Sequence, residues 1–178
     1  KQMLDEVAEN VKSTTGALLI LLMVGALAGT WMVSGIIPTM IYYGLQILNP
    51  KIFLAACVVI CAIISIATGS SWTTSATVGI ALVGIGETLG VSIGMTAGAV
   101  LSGAYFGDKM SPLSDTTNLA PAMAGGELFD HIKYMSLTTI PTISITLILF
   151  IVIGLNLDIN GTPQIQDKLE AINQAFNI

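Results

Sequence analysis

Long apolar runs with very few charges restrict what this chain can fold into more than any other feature. Residues 15–37, 52–68, 90–107 and 135–155 consist almost entirely of aliphatic and small side chains. Only 10% of all residues are charged, whereas a soluble domain carries roughly 25%. So few charges cannot cover a water-soluble fold of this size, and a helix needs about 20 mostly apolar residues to cross the hydrocarbon core. We therefore predict an all-α membrane protein in a lipid bilayer.

The charge balance and the cysteines exclude two classes of partner. The net charge is −5 and the sequence contains no arginine. Because nucleic acid is bound through clusters of Lys and Arg, we expect no nucleic-acid partner. Cys57 and Cys61 lie four residues apart in an apolar run, without the further ligands that a metal site needs. We interpret them as small buried side chains, and we expect no cofactor.

Both ends of the chain are polar. We predict a helix-compatible connector over residues 1–14 and an extramembrane tail over residues 156–178. The first residues carry neither a basic region nor a cleavage site, so we expect no signal peptide. We also expect the chain to be a piece of a longer transporter.

Residues 15–155 between these ends are predicted to form the membrane region. The two clear spans are residues 15–37 and 135–155. Pro38 is expected to end or kink the first span, because proline disrupts a helix interior. Residues 39–49 are too short to cross, and their paired tyrosines are typical of a helix that lies along the membrane surface.

Two polar interruptions divide the remaining apolar sequence. In residues 52–89, two short apolar arms flank the uncharged polar run 69–75, which predicts a re-entrant hairpin. In residues 91–128, an apolar helix stops at the polar stretch 108–118 and then resumes, which predicts a discontinuous helix. Non-helical backbone at membrane depth must be buried in protein or line a wet cavity. Both interruptions are therefore candidate functional segments.

Each interruption contains serines followed by a Thr-Thr pair, and so supplies hydroxyl oxygens together with backbone carbonyls free of helical bonds. A dehydrated Na⁺ needs such ligands, and broken helices direct their terminal dipoles at bound ions in secondary transporters. The candidate ion-binding residues are Ser70, Ser71, Thr73 and Thr74 in the first interruption, and Asp108, Ser111, Ser114, Asp115, Thr116, Thr117 and Asn118 in the second.

Asp108 and Asp115 are the only carboxylates between Thr88 and Gly126. Ionisable groups within a membrane region are costly to bury and are functional candidates by default. A carboxylate binds Na⁺ when it is ionised and releases Na⁺ when it is protonated, and burial favours the neutral form. One such group is therefore sufficient for competitive exchange of Na⁺ against H⁺.

We favour Asp115 as the Na⁺ ligand because it lies inside the hydroxyl-rich stretch, and we predict that Asn118 and Thr74 complete the site. Asp108 is open to three roles: ion ligand, proton carrier or partner of Lys109. The alternative is that Asp108 and Lys109 form an ordinary surface loop in which the carboxylate caps the next helix.

Ser and Thr side chains in apolar segments also bond commonly to carbonyls of the preceding turn, without binding any ion. Glu87, between Gly86 and Thr88, is interpreted as part of a surface turn. His131, beside Asp130, is interpreted as an interfacial residue in preference to a proton relay.

Residues 107–121 (GDKMSPLSDTTNLAP) and 67–77 (ATGSSWTTSAT) resemble the NhaC-type Na⁺/H⁺ antiporters of the ion-transporter superfamily. The resemblance covers most of residues 15–155. It implies inverted repeats, each with a re-entrant hairpin followed by a discontinuous helix, so the chain is similar to one half of an inverted-repeat transporter. It further implies that the remaining half is needed for transport, and that the protein lies in a bacterial or archaeal plasma membrane. By the same similarity, the hairpin residues would face a set at the break, namely Asp115, Thr116, Thr117 and Asn118.

The leading hypothesis is a secondary antiporter, not an enzyme, that exchanges Na⁺ for H⁺ by alternating access. The alternative is an exchanger of the malate/lactate type, in which a small carboxylate is coupled to Na⁺ or H⁺. An intramembrane protease would need a nucleophile with His or Lys at depth, or several His ligands, and the only histidine is His131. A passive channel would be excluded by strict coupling of the two ion fluxes. Orientation, cation preference and oligomeric state stay open, with a homodimer among the options.

Overall fold

The computed structural model describes residues 2–157 and residue 170, and within these residues it contains helices and no strand. The predicted tail 156–178 lies outside the described residues beyond Leu157, apart from residue 170. In chain order the elements are α1 (Gln2–Val33), α2 (Ile36–Ile47), a 3₁₀ turn (Pro50–Ile52), α3 (Phe53–Thr68), α4 (Ser71–Thr74), a π-helical turn (Ser75–Gly79), α5 (Ile80–Thr88), α6 (Ile93–Met110), α7 (Asp115–Ala124) and α8 (Leu128–Asn156).

The chain bends between α1 and α2, just before Pro38, and a glycine makes this bend. Helix α1 ends at Val33, and Gly35 adopts a left-handed conformation with φ 83°. Pro38 lies in the first turn of α2, where amides have no helical partner and the missing N–H costs nothing. The chain is therefore kinked close to Pro38, as expected, but Gly35 makes the kink and not the proline. The segment Gly25–Val33 is bent by 71° against α2.

Two helices among the described residues are long and apolar enough to cross a membrane, and the bent pair α1–α2 would add a third. They are Pro50–Thr68 and Leu128–Asn156. The second contains the predicted span 135–155 and begins earlier, because the polar residues before it continue the same helix. Over its described residues the chain is thus all-helical and has the apolar helices of a membrane protein. The inverted repeat, and the depth at which the hairpin lies, stay predictions.

Helices α3 and α6 form the centre of the fold and run parallel. Gly103 packs on the backbone carbonyl of Val58, and a Cβ on Gly107 would lie 2.5 Å from the carbonyl oxygen of Ala62. Glycines spaced four apart allow such backbone contact between membrane helices. Cys57 and Cys61 on α3 are fully buried, as predicted. Since both contacts advance in the same direction, α3 and α6 end at the same side of the molecule.

The continuous stretch α4, π turn and α5 runs back along α6. Near its start, Ser71 bonds to Asp108, and further along a Cβ on Gly79 would lie 2.7 Å from Val100 Cγ1. Helix α2 packs on α5, and α8 packs on α3 and α6. This antiparallel return places the beginning of α4 directly beside the end of α6.

Candidate functional site

The two helix breaks are in direct contact, because α3 and α6 end side by side. Gly69, between α3 and α4, has φ 71°, and a Cβ there would lie 2.7 Å from the carbonyl oxygen of Leu113 in the second break. Ser111 in the second break donates through Oγ to the carbonyl oxygen of Ile66 at 2.7 Å. The polar interruptions at 69–75 and 108–118 therefore meet at one place, which we name the break junction.

The first break is shorter than the sequence predicts. Only Gly69 and Ser70 separate α3 from α4, whereas the whole polar run 69–75 was expected to be irregular. The Ser70 hydroxyl accepts hydrogen bonds from the amide of Thr73 at 3.2 Å and from its hydroxyl at 3.1 Å. Thr74 Oγ1 donates to the Ser70 carbonyl oxygen at 2.9 Å. These hydroxyls stabilise the start of a helix, so most of the run is helical.

The second break repeats the same capping arrangement. Ser114 Oγ accepts from the amide of Thr117 at 3.3 Å and lies 2.9 Å from the hydroxyl of Thr116. Thr117 Oγ1 donates to the carbonyl oxygen of Asp108 at 3.1 Å, near the end of α6. Each break is therefore followed by a helix that is capped by a serine, with a threonine three positions after that serine. The helix is α4 after the first break and α7 after the second.

Asp108 is the carboxylate at the break junction. Its side chain is 9% exposed, and its Oδ2 accepts a hydrogen bond from Ser71 Oγ at 2.9 Å. Ser71 is itself buried, so this bond joins α6 to the start of α4 inside the protein. A buried charge must be paired or well hydrogen-bonded. Asp108 is therefore the acidic group that a cation at this place would neutralise.

Asp115 lies in the same stretch, directly after the Ser114 cap. It is the first residue of α7, it is exposed, and its Oδ1 accepts from the amide of Thr116, which is also exposed. The hydrogen bond that the structure shows from a hairpin side chain to a carboxylate goes to Asp108, and a pairing of the hairpin with Asp115 stays a prediction. The exposure of Asp115 follows from helical geometry: Ser114 is the cap, so Asp115 points outward while Thr117 faces α6.

The three residues predicted to hold Na⁺ bond to separate backbone groups. Thr74 is fully buried and bonds to the Ser70 carbonyl, with the hydroxyl of Thr68 3.4 Å away. Asn118 Nδ2 donates to the carbonyl oxygens of Pro112 and Ser114, both at 2.7 Å. A common Na⁺ site of Asp115, Asn118 and Thr74 stays a prediction, and so does an ion-binding role for the other candidates.

The electrostatics of the break junction favour a cation. Helices α3 and α6 direct their C-terminal ends at it, while α4 and α7 begin there, so helix ends of both signs meet and the net negative charge comes from the carboxylate. That carboxylate is Asp108, in the last turn of α6. No group of three His, Cys, Asp or Glu side chains clusters within the described part of the chain. A cation bound there would accordingly take most of its ligands from hydroxyl and carbonyl oxygens.

Sequence reasoning missed two serines near the junction. Ser65 is fully buried and donates to the carbonyl oxygen of Ala104 at 2.6 Å, so it fastens α3 to α6. Ser75 belongs to the polar run but was not selected, although it follows Ser71 by four residues and therefore shares its helix face. Of the groups interpreted as peripheral, Glu87 is exposed at the end of α5.

Two helix breaks that meet beside a buried carboxylate, among the apolar helices of a membrane protein, are an arrangement that secondary transporters use. Comparison with known proteins agrees. Residues 103–178 match the Na⁺/H⁺ antiporter family. The chain is 48% identical over 159 residues, 89% of its length, to the Na⁺/H⁺ antiporter NhaC of Alkalihalophilus pseudofirmus. It is 45% identical over 96% of its length to the malate-2H⁺/Na⁺-lactate antiporter of Bacillus subtilis, and 42% identical over 90% to the arginine/ornithine antiporter ArcD of Halobacterium salinarum. No solved structure matches the chain.

Over most of its length the chain is similar to NhaC-type Na⁺/H⁺ antiporters, which confirms the resemblance seen in its two motifs. It covers 34%, 37% and 33% of the lengths of these three relatives, so it spans about a third of each.

Proposed function

We propose that the protein to which this chain belongs exchanges Na⁺ for H⁺ across a bacterial or archaeal plasma membrane, and that Asp108 is the group for which the two cations compete. The observation that carries this proposal is the buried Ser71–Asp108 hydrogen bond where α3 and α6 end. The relatives named Na⁺/H⁺ antiporter support the same activity.

Competition at one carboxylate follows from simple electrostatics. Ionised Asp108 attracts Na⁺, and the Ser71 hydroxyl, which donates its hydrogen to Oδ2, keeps oxygen lone pairs for the ion. Protonation removes the negative charge. At about 4 Å and an effective dielectric constant of about 20, that charge contributes about 4 kcal/mol. This corresponds to roughly a thousandfold in Na⁺ affinity, so binding of a proton expels Na⁺.

Alternating access requires that the site face each side of the membrane in turn. We propose that α3, α6 and the stretch α4–α5 move as one body, because they share the apolar core below the break junction. The other wall of the site would come from the rest of the protein. Asp115 and Thr116, exposed in this chain, are the residues at the break that would meet that wall.

The test is Na⁺-driven proton flux in vesicles that contain the full-length protein. Asp108→Asn keeps an oxygen that can accept from Ser71 but removes the charge, and we expect it to abolish coupled flux. Normal flux in Asp108→Asn would remove Asp108 from the mechanism. Asp115→Asn is the matched variant, and a loss of flux in it alone would return the ion site to Asp115.

A second candidate is an exchanger that couples a small carboxylate to Na⁺ or H⁺. The relative named malate-2H⁺/Na⁺-lactate antiporter, 45% identical over 96% of this chain, is the observation that favours it. Hydroxyl groups at the break junction would bind the organic anion. Counterflow of labelled malate or lactate in the same vesicles separates the candidates, since a pure Na⁺/H⁺ antiporter carries neither.

A further inference from the structure

One hydroxyl close to the break junction has no partner. Ser75 Oγ is buried and makes no hydrogen bond among the described residues. In native proteins a buried polar atom without a partner needs an explanation, such as an unseen water or ion. Ser75 is also the first residue of the π-helical turn, and single π turns inside α-helices occur frequently at functional sites.

Ser75 lies on the face of its helix that points at α6. Ser71, Ser75 and Gly79 follow one another at a spacing of four, and the first and last are both against α6, at Asp108 and at Val100. Ser75 must therefore lie between these two points. Here the helices leave a cleft of about 230 Å³. Its lining residues are Ser75, Gly79, Ile80, Val83, Ala97, Val100 and Leu101.

Only Ser75 contributes a polar side chain to this lining, and none of the lining side chains titrates. The amide of Ser75 donates to the carbonyl oxygen of Ser71, so the two serines are one helical turn apart. Side chains at this spacing have Cβ atoms about 5–6 Å apart, and since Ser75 Oγ makes no direct bond to Ser71, one water can bridge the two hydroxyls. A continuous line of oxygens would then connect the cleft with Asp108.

We propose that this cleft is the aqueous access route to Asp108, and that Ser75 holds the water through which protons reach it. The inference rests on the proposed function, in which Asp108 exchanges a proton for Na⁺. When Asp108 is protonated, the water bound to Ser75 gives a proton to Ser71 Oγ, while the original hydroxyl hydrogen of Ser71 passes to Asp108 Oδ2. The water regains a proton from the next water in the cleft, and the reverse sequence releases the proton.

The access route is tested by a Ser75→Cys variant of the full-length protein in membrane vesicles. A water-soluble methanethiosulfonate, added from either side, should label this variant well above the parent, in which Cys57 and Cys61 are fully buried. Ser65→Cys is the matched control, because Ser65 is fully buried on the α3 side of α6. If Ser75→Cys reacts no faster than Ser65→Cys, lipid or another part of the protein fills the cleft and the route is wrong.

The relay is tested by transport in Ser75→Ala. We expect its maximal Na⁺-driven proton flux to fall several-fold, with half-saturation for Na⁺ within about twofold of the parent, and Ser75→Thr to restore flux. Ser102→Ala is the control, since the Ser102 hydroxyl bonds to its own helix at the Gly98 carbonyl, and flux should be unchanged. Parental flux in Ser75→Ala would overturn the relay. Labelling of Ser75→Cys needs no transport, so it remains decisive even if Asp108→Asn refutes the antiport mechanism.

Discussion

The contact between α3 and α6 at Gly103 predicts a defined loss of stability and of function in Gly103→Ala. The new Cβ would collide with the backbone carbonyl oxygen of Val58 and would lie 2.9 Å from the carbonyl carbon. These atoms belong to the backbone, so no side chain can rotate away. Carbon and carbonyl oxygen normally approach to about 3.3–3.6 Å, and the helices must therefore separate by roughly 1 Å.

The energetic cost of the collision is obtained by comparing Gly103→Ala with a second glycine-to-alanine substitution on the same helix. At Gly98 the nearest neighbour of an added Cβ is Phe150 Cζ at 3.9 Å, an ordinary contact. Both substitutions gain about 1 kcal/mol of helix propensity, but only Gly103→Ala overpacks the core, which costs about 1–3 kcal/mol. We expect Gly103→Ala to be less stable than Gly98→Ala by about that amount.

The assay is unfolding of the purified full-length protein in mixed detergent micelles, combined with Na⁺-driven proton flux. Because only two residues join α3 to α4, moving α3 away from α6 by roughly 1 Å should carry Ser71 with it and stretch its bond to Asp108 from 2.9 Å beyond the hydrogen-bonding range. Flux should therefore fall in Gly103→Ala and stay near the parent value in Gly98→Ala. Equal stability of the two variants would refute the close parallel packing of α3 and α6.

Two further predictions concern the break junction. Gly69 and Gly125 both have φ 71°, but a Cβ on Gly69 would meet Leu113, whereas one on Gly125 would meet nothing within 4 Å. Unfolding in micelles should therefore show Gly69→Ala to be less stable than Gly125→Ala by about 1–3 kcal/mol, and equal losses would mean that backbone strain alone is responsible. Ser111→Ala removes the donor to the Ile66 carbonyl oxygen and should lose about 0.5–1.5 kcal/mol of stability, and an undiminished stability would show that water replaces this bond.

The sequence predicts the segments of this fold better than their pairing. Apolar runs marked α3 and α8, and Gly-, Pro- and hydroxyl-rich interruptions marked both places where helices break. The parallel pairing of α3 with α6 was not predictable, because it depends on Gly103 and Gly107 meeting carbonyls from a distant part of the chain. Composition shows that such glycines are small, but not which backbone they meet.

For the candidate site, too, the sequence predicts the residue types better than it predicts which side chains meet. The residue types at the two interruptions indicated a cation, and the structure brings the interruptions together. The sequence does not reveal that the two carboxylates differ in setting: Asp108 ends α6 beside Ser71, while Asp115 begins α7 and is exposed. Pro38 illustrates the limit locally, since the cost of a proline depends on its distance from the helix start and here the preceding Gly35 makes the break.

Proton release on Na⁺ binding tests the shared carboxylate most directly. Na⁺ is titrated into the purified full-length protein in weakly buffered solution, and the pH is followed by a dye. We predict that the parent releases protons as Na⁺ binds and that Asp108→Asn releases none, whereas Asp115→Asn behaves as the parent. Undiminished proton release from Asp108→Asn would contradict the account, because the two cations would then compete at another group.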